Sequence, residues 1–229
     1  MNDSTVLSPA VIEERSFISQ VYGWMTLGLA MTGLVSLYMA AHTGLIVELS
    51  ASKILLFGMM GIELVLVFAL AGWAQKMSAS EAAAAFLGYA GLTGVTISTI
   101  FLVYTRASIA STFFLTAATF GVMSLYGYTT KTDLTTIGNI CFMGLIGVIL
   151  ASLVNFFFKS SAVYWVTTYI GILVFVGLTA YDTQKIKEMN VFDDPEAEKK
   201  EAIVGALTLY LDFINLFLEL LQLFGKRED

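Results

Sequence analysis

The sequence predicts an all-α, polytopic membrane protein: a bundle of seven transmembrane helices. Three observations carry this. Of 229 residues, 57% are apolar and only 13% are charged, whereas an ordinary soluble domain is about a quarter charged. With a mean hydropathy of +0.79, the chain has too little charge to coat a soluble globule of its length. The apolar residues also gather into seven runs, each long enough to cross a hydrocarbon core of about 30 Å. Both prolines, Pro9 and Pro195, fall outside those runs, so none is broken by proline.

The first run covers residues 21–41. The 20 residues before it hold Pro9, Glu13, Glu14 and Arg15 and lack a basic leader region, so the run reads as a retained span, not a cleaved signal. The second run, 53–74, carries a carboxyl near its middle, Glu63. The third, 81–103, spaces Gly88, Gly91 and Gly94 as helices do where backbones approach closely. The fourth is 107–128. The fifth, 136–158, holds Gly144, Gly147 and the single cysteine, Cys141, which reads as a small packed hydrophobe. The sixth is 162–182, with helical character continuing to about Met189. A polar loop over about 190–201 precedes the seventh, 203–224. The chain thus divides into an N-terminal segment (1–20), a membrane domain (21–224) and a short charged tail (225–229).

Lysine and arginine set the expected orientation. With a cytoplasmic N-terminus and seven crossings, Arg15, Lys76, Lys131, Lys185, Lys187, Lys199 and Lys200 lie inside; Lys53, Arg106, Lys159, Lys226 and Arg227 lie outside. If the last segment does not cross, Lys226 and Arg227 move inside and the bias rises to nine against three. Either count places the N-terminus in the cytoplasm and leaves the side of the C-terminus open.

Composition excludes several function classes. A net charge of −6 argues against nucleic acid, and one histidine, His42, excludes a His-rich metal site. No P-loop and no dinucleotide-binding glycine turn occurs, and no central lysine is available for a retinal-type Schiff base. The chain reads as a non-enzyme without a resident cofactor.

Four acids remain in or at the edge of the deep runs: Glu63, Asp182, Asp212 and Glu219. Intramembrane carboxylates are costly and point to an ion path, a proton relay or a partnered site. Counted from the ends of the polar loop, Asp182 and Asp212 lie about 8 and 11 residues in, or roughly 12 and 16 Å deep on adjacent antiparallel helices. They can therefore face each other. Two carboxylates at close quarters in a low dielectric do not readily both ionise, so they titrate as a coupled pair. The same oxygens could receive a divalent cation such as Ca²⁺. For Asp182 the plainer alternative is an aqueous helix end beside Lys185. Asp212, Asn215, Glu219 and Gln222 form one helical stripe, expected to face a hydrated interior or polar side chains of neighbours such as Asn155. Asn215, Glu219 and Glu63 are thus candidates for lining a path, and Lys76 is a candidate cationic partner for Asp182.

The runs Gly-Leu-Thr-Ala-Tyr-Asp-Thr-Gln-Lys (177–185) and Leu-Tyr-Leu-Asp-Phe-Ile-Asn-Leu-Phe (209–217) resemble the two C-terminal signatures of the Bax-inhibitor (transmembrane Bax inhibitor motif) family. Residues 124–134 and 20–25 resemble its bacterial inner-membrane branch. The resemblance implies a seven-helix bundle with the last helix central, a bacterial inner-membrane location and a pH-sensitive calcium leak. The family's paired aspartates carry over to Asp182 and Asp212. It also implies a regulatory role, since relatives act on cell death in eukaryotes and on membrane proteolysis in bacteria. Some relatives carry an arginine-rich end to segment two; here that stretch is Trp73-Ala74-Gln75-Lys76.

Three functions follow as alternatives. The first is a proton-gated cation conduit. The second is a non-conducting regulator of other membrane proteins, such as a protease modulator, acting through residues 1–20. The third is an intramembrane aspartyl protease, which Tyr181-Asp182 superficially fits; the Gly-x-Gly-Asp expected at its second aspartate is absent at Leu209-Tyr210-Leu211-Asp212.

Overall fold

In the computed structural model, residues 9–189 and 194–228 are described, residues 9–13 by their backbone alone. They form eight helices: α1 (Pro9–Ala41), α2 (Thr43–Ala51), α3 (Lys53–Trp73), α4 (Ala79–Ile97), α5 (Arg106–Thr129), α6 (Thr135–Phe158), α7 (Ser161–Glu188) and α8 (Pro195–Phe224). A 3₁₀ turn extends α3 over Ala74–Lys76 and another extends α4 over Ser98–Leu102. All but α2 are long and apolar enough to cross a membrane, which gives the seven expected spans among the described residues.

Four boundaries depart from the expectation. α1 begins at Pro9, inside the expected N-terminal segment and twelve residues before its apolar run. The short helix α2 occupies part of what reads as a connection between the first two runs. α4 starts at Ala79, two residues early, because Ser78 and Glu81 form a reciprocal capping box: Ser78 Oγ accepts from Glu81 N at 3.3 Å and Ser78 N donates to Glu81 Oε2 at 2.8 Å. Another large difference is at α8. Residues 195–201, read as polar loop, are its first two turns. Pro195 stands where a missing N–H costs nothing, Asp194 Oδ1 accepts from Glu196 N at 3.0 Å, and Glu196 and Glu198 complement the positive end of the helix. The rest of that loop, 190–193, lies outside the described residues.

The helices pack as two units. The first comprises residues up to Ser98 together with Ile186–Leu207; the second comprises Thr99–Lys185 and Thr208–Asp229. In the first, α1 and α4 meet closely at Gly94, where an added Cβ would stand 2.7 Å from Thr32 O. Thr32 Oγ1 donates to Ala90 O at 2.8 Å along the same contact. At the start of α8, Gly205 lies against Val21 of α1, and Ala202, Ile203 and Ala206 of α8 are buried, as are Phe17, Val21 and Phe86.

In the second unit, Val174, Phe175 and Leu178 of α7 pack on Leu216 and Leu220 of α8, with Cys141 against them in the apolar role expected of it. Phe113 and Phe120 of α5 meet Phe213 edge-to-face at 5.4 and 5.5 Å. α8 is the most enclosed span: 67% of its apolar window is buried, against 6% for α3 and for α6.

Candidate functional site

Asp182 and Asp212 both belong to the second unit, and their carboxyl groups lie within hydrogen-bonding reach of each other. Asp212 is 5% exposed, and its Oδ2 is buried with no hydrogen-bond partner. The pair is therefore formed by α7 and α8 facing each other, as the depth count requires. Because both groups are acceptors when ionised, a hydrogen bond between them needs a proton on one.

Lys185, one turn beyond Asp182, is the cation whose charge bears on it, and its Nζ also stands 5.8 Å from the centre of the Tyr181 ring. Lys76 is exposed at the end of the 3₁₀ turn after α3, in the first unit. From α6 the titratable group that feels both aspartates is Cys141.

Further along α8 the polar stripe turns toward α7. Glu219 packs against Gly171, where an added Cβ would stand 2.8 Å from its Oε1. Glu219 Oε2 is buried and has no hydrogen-bond partner. Thr168, fully buried on α7, is within reach of Glu219, and its Oγ1 lies 3.3 Å from Gln222 Oε1. Asn215 is turned onto its own helix, its Nδ2 donating to Leu211 O at 2.8 Å. Asn155, a polar neighbour expected of the stripe, instead closes the end of α6 by accepting from Ser160 N at 2.8 Å.

Glu63 lies in the first unit, half-buried on α3, and accepts a 2.6 Å hydrogen bond from Thr96 Oγ1 on α4. The cross-helix partner that a lone intramembrane carboxyl needs is therefore a hydroxyl.

Sequence reasoning passes over three residues here: Thr96, Thr168 and Gln184. The two threonines lie among many in apolar runs, and only the rotation of their helices selects them. Gln184 is visible in the 177–185 motif. Its partners, however, are backbone groups, Thr132 O and Leu134 N, which residue types do not reveal.

No group of three or more His, Cys, Asp or Glu able to hold a metal ion occurs among the described residues. Two carboxyls fall short of the six to eight oxygens Ca²⁺ takes, so an ion at this pair would keep much of its water.

The sequence profile described as "Inhibitor of apoptosis-promoting Bax1" matches residues 14–229. The chain is similar to the inner membrane protein YbhL of Escherichia coli K12, at 52% identity over 96% of this chain and 97% of YbhL. A Borreliella burgdorferi protein is 42% identical over the full length of both chains. The membrane protein SpyM3_0260 of Streptococcus pyogenes is 35% identical, again over both full lengths. With seven apolar spans and a profile match over nearly its whole length, the chain is an integral membrane protein and belongs to the Bax-inhibitor family.

Proposed function

We propose that the protein is a pH-sensitive cation leak, with calcium as the permeant ion and the Asp182–Asp212 pair as its gate. The observation that carries the reading is a carboxyl pair between two membrane-spanning helices, one member of which has a buried, unpartnered oxygen. A shared proton makes the pair a latch between α7 and α8. Once it leaves, two like charges face each other where water is scarce, and repulsion favours their separation. Separated carboxylates offer hard oxygens to a divalent cation. Asn215 and Glu219 continue the polar stripe from the latch along α8, and Glu63 is a further candidate on α3. Lys76 is the candidate cation that would hold Asp182 in some states. The similarity to YbhL supports a bacterial inner-membrane location, and the lysine and arginine distribution supports a cytoplasmic N-terminus.

The test is calcium entry into proteoliposomes loaded with a calcium dye, followed across pH. Wild type should leak more as pH rises through the pair's titration. Asp212→Asn, which cannot form the charged pair, should lose most of that pH dependence. If Asp212→Asn leaves both flux and pH profile unchanged, the gate is elsewhere. If wild type carries no flux at any pH, the conduit reading falls, and the non-conducting regulator of other membrane proteins takes its place.

A further inference from the structure

The stretch of α7 that carries Asp182 is held on the α5–α6 hairpin at residue after residue. Gly127 of α5 lies against the Ala180 backbone so closely that an added Cβ would collide with the Ala180 carbonyl. Gly138 of α6 is similarly pressed on the Tyr181 ring. Thr183 Oγ1 lies 3.4 Å from Ser124 Oγ, both buried. Gln184, 9% exposed, makes the most specific contact: its Nε2 donates to Thr132 O at 2.9 Å, and its Oε1 accepts from Leu134 N at 2.8 Å. One side-chain amide thus satisfies an acceptor and a donor of the α5–α6 connection, as a neighbouring peptide group would. Within 180–184, Asp182 is the residue that turns instead to α8 and Asp212.

We infer that Gln184 is the positioning residue of the aspartate pair: its two-pronged bond to Thr132 and Leu134 fixes the rotation and register of α7, and so holds the Asp182 carboxyl opposite Asp212. The geometry requires both prongs. A single hydrogen bond leaves a helix free to rotate about it, whereas two bonds to groups two residues apart define an orientation. Leu134 immediately precedes α6 at its N-cap and is 1% exposed, so the anchor is itself fixed by packing. Among the described residues, the other titratable groups on which the pair's charge bears are Lys185 on α7 and Cys141 on α6; the Tyr181 ring lies against Gly138 of α6, and the Ser124 hydroxyl of α5 lies against Thr183. Of the contacts that hold this stretch of α7, Gln184's is the one with two directional hydrogen bonds, so the positioning is assigned to this amide.

The inference rests on the aspartate pair being the proton-linked element, so its test reads the pair directly and flux separately. The protonated-carboxyl C=O band is followed by infrared difference spectroscopy in proteoliposomes as pH is changed, and the part that Asp212→Asn removes is assigned to the pair. Gln184→Met keeps the length and loses both hydrogen bonds; Gln184→Asn keeps the amide but falls one methylene short of the turn, and serves if the first does not fold. The expected result is a shift of the band's midpoint by about half a pH unit or more in the folded variant, with no such titration to shift when Asp212→Asn is added. An unshifted midpoint with only a lowered Tm would make Gln184 merely structural and overturn the inference. So would the absence of any band that Asp212→Asn removes. A midpoint that shifts as expected in a protein that carries no calcium overturns the conduit and leaves the positioning role standing.

Discussion

At the scale of single residues, the tightest constraints on the candidate site come from glycines and backbone atoms, not from the carboxylates. Gly127 allows α5 to touch the α7 backbone at Ala180, two residues before Asp182. An added methyl there meets a carbonyl oxygen, and main chain cannot rotate away as a side chain can. At Gly147, on α6, an added methyl would find open space. The two substitutions should therefore have opposite signs. Gly127→Ala is expected to destabilise by about 1–3 kcal/mol through overpacking, while Gly147→Ala should stabilise by up to about 1 kcal/mol through lower unfolded-state entropy. Thermal denaturation in detergent micelles checks both. Equal effects would show that α5 and α7 approach each other less closely than the Gly127 contact requires. The same comparison explains what is legible in the sequence. Asp182 and Asp212 can be paired from chain position because an acid in an apolar run is rare and its depth can be counted. Gly127 cannot be singled out among 19 glycines, since its role depends on which backbone lies opposite.

At the scale of elements, spans are legible and their ends are less so. Apolar length fixes where a helix must cross, but capping chemistry decides where it starts. Ser78 and Glu81 stand in the sequence at capping-box spacing, yet Glu81 reads as the start of a run if hydropathy alone is followed. Asp194-Pro195 likewise begins α8 inside a charged stretch that looks like loop, because helix initiation there relies on Asp194 Oδ1 and on acids in the first turn. The start of α6 provides a measurable case. Asp133, in the α5–α6 connection, accepts from Thr135 N at 2.8 Å, and bonds from the Thr135 side chain and backbone hold its carboxyl below the usual range. A carboxylate whose folded value is lowered contributes stability that is fully present above its unfolded value, about 3.9, and is lost as pH falls through the folded one. Asp133→Ala should therefore lower Tm at neutral pH, and the gap from wild type should close only below about pH 4. A gap that persists unchanged in acid would mean that the carboxylate's charge is irrelevant to the cap.

At the scale of the whole molecule, the side of the C-terminus is the question that counting charges leaves open, and it turns on whether α8 crosses. Its apolar length is sufficient, and hydrogen bonds at its two ends argue that it does. Near its start, within the first unit, Glu198 Oε1 accepts from Gln20 Nε2 at 2.7 Å, and Glu196 Oε1 accepts from Ala79 N at 2.7 Å. These contacts join α8 to the N-terminal part of α1 and to the first residue of α4, positions that share a membrane face when each span crosses once. Past its end, within the second unit, Thr105 N donates to Lys226 O and Glu228 N to Val103 O, both at 3.0 Å, while Lys226 N donates to Ser108 Oγ at 2.7 Å. Arg227 also reaches Tyr164 near the start of α7. The tail is thereby tied to the connection before α5 and to the first turn of α7, which by the same count lie on the opposite face. A re-entrant α8 would have to break both sets of bonds or drag Val103–Thr105 through the bilayer, leaving backbone groups unpaired in hydrocarbon. If α8 crosses, the expected distribution of lysine and arginine is the seven against five. Reporters fused before Met1 and after Asp229 should lie on opposite sides of the membrane, the first cytoplasmic. Two ends reporting from the same side would show that α8 turns back, and would separate Asp212 and Glu219 from any continuous path across the membrane.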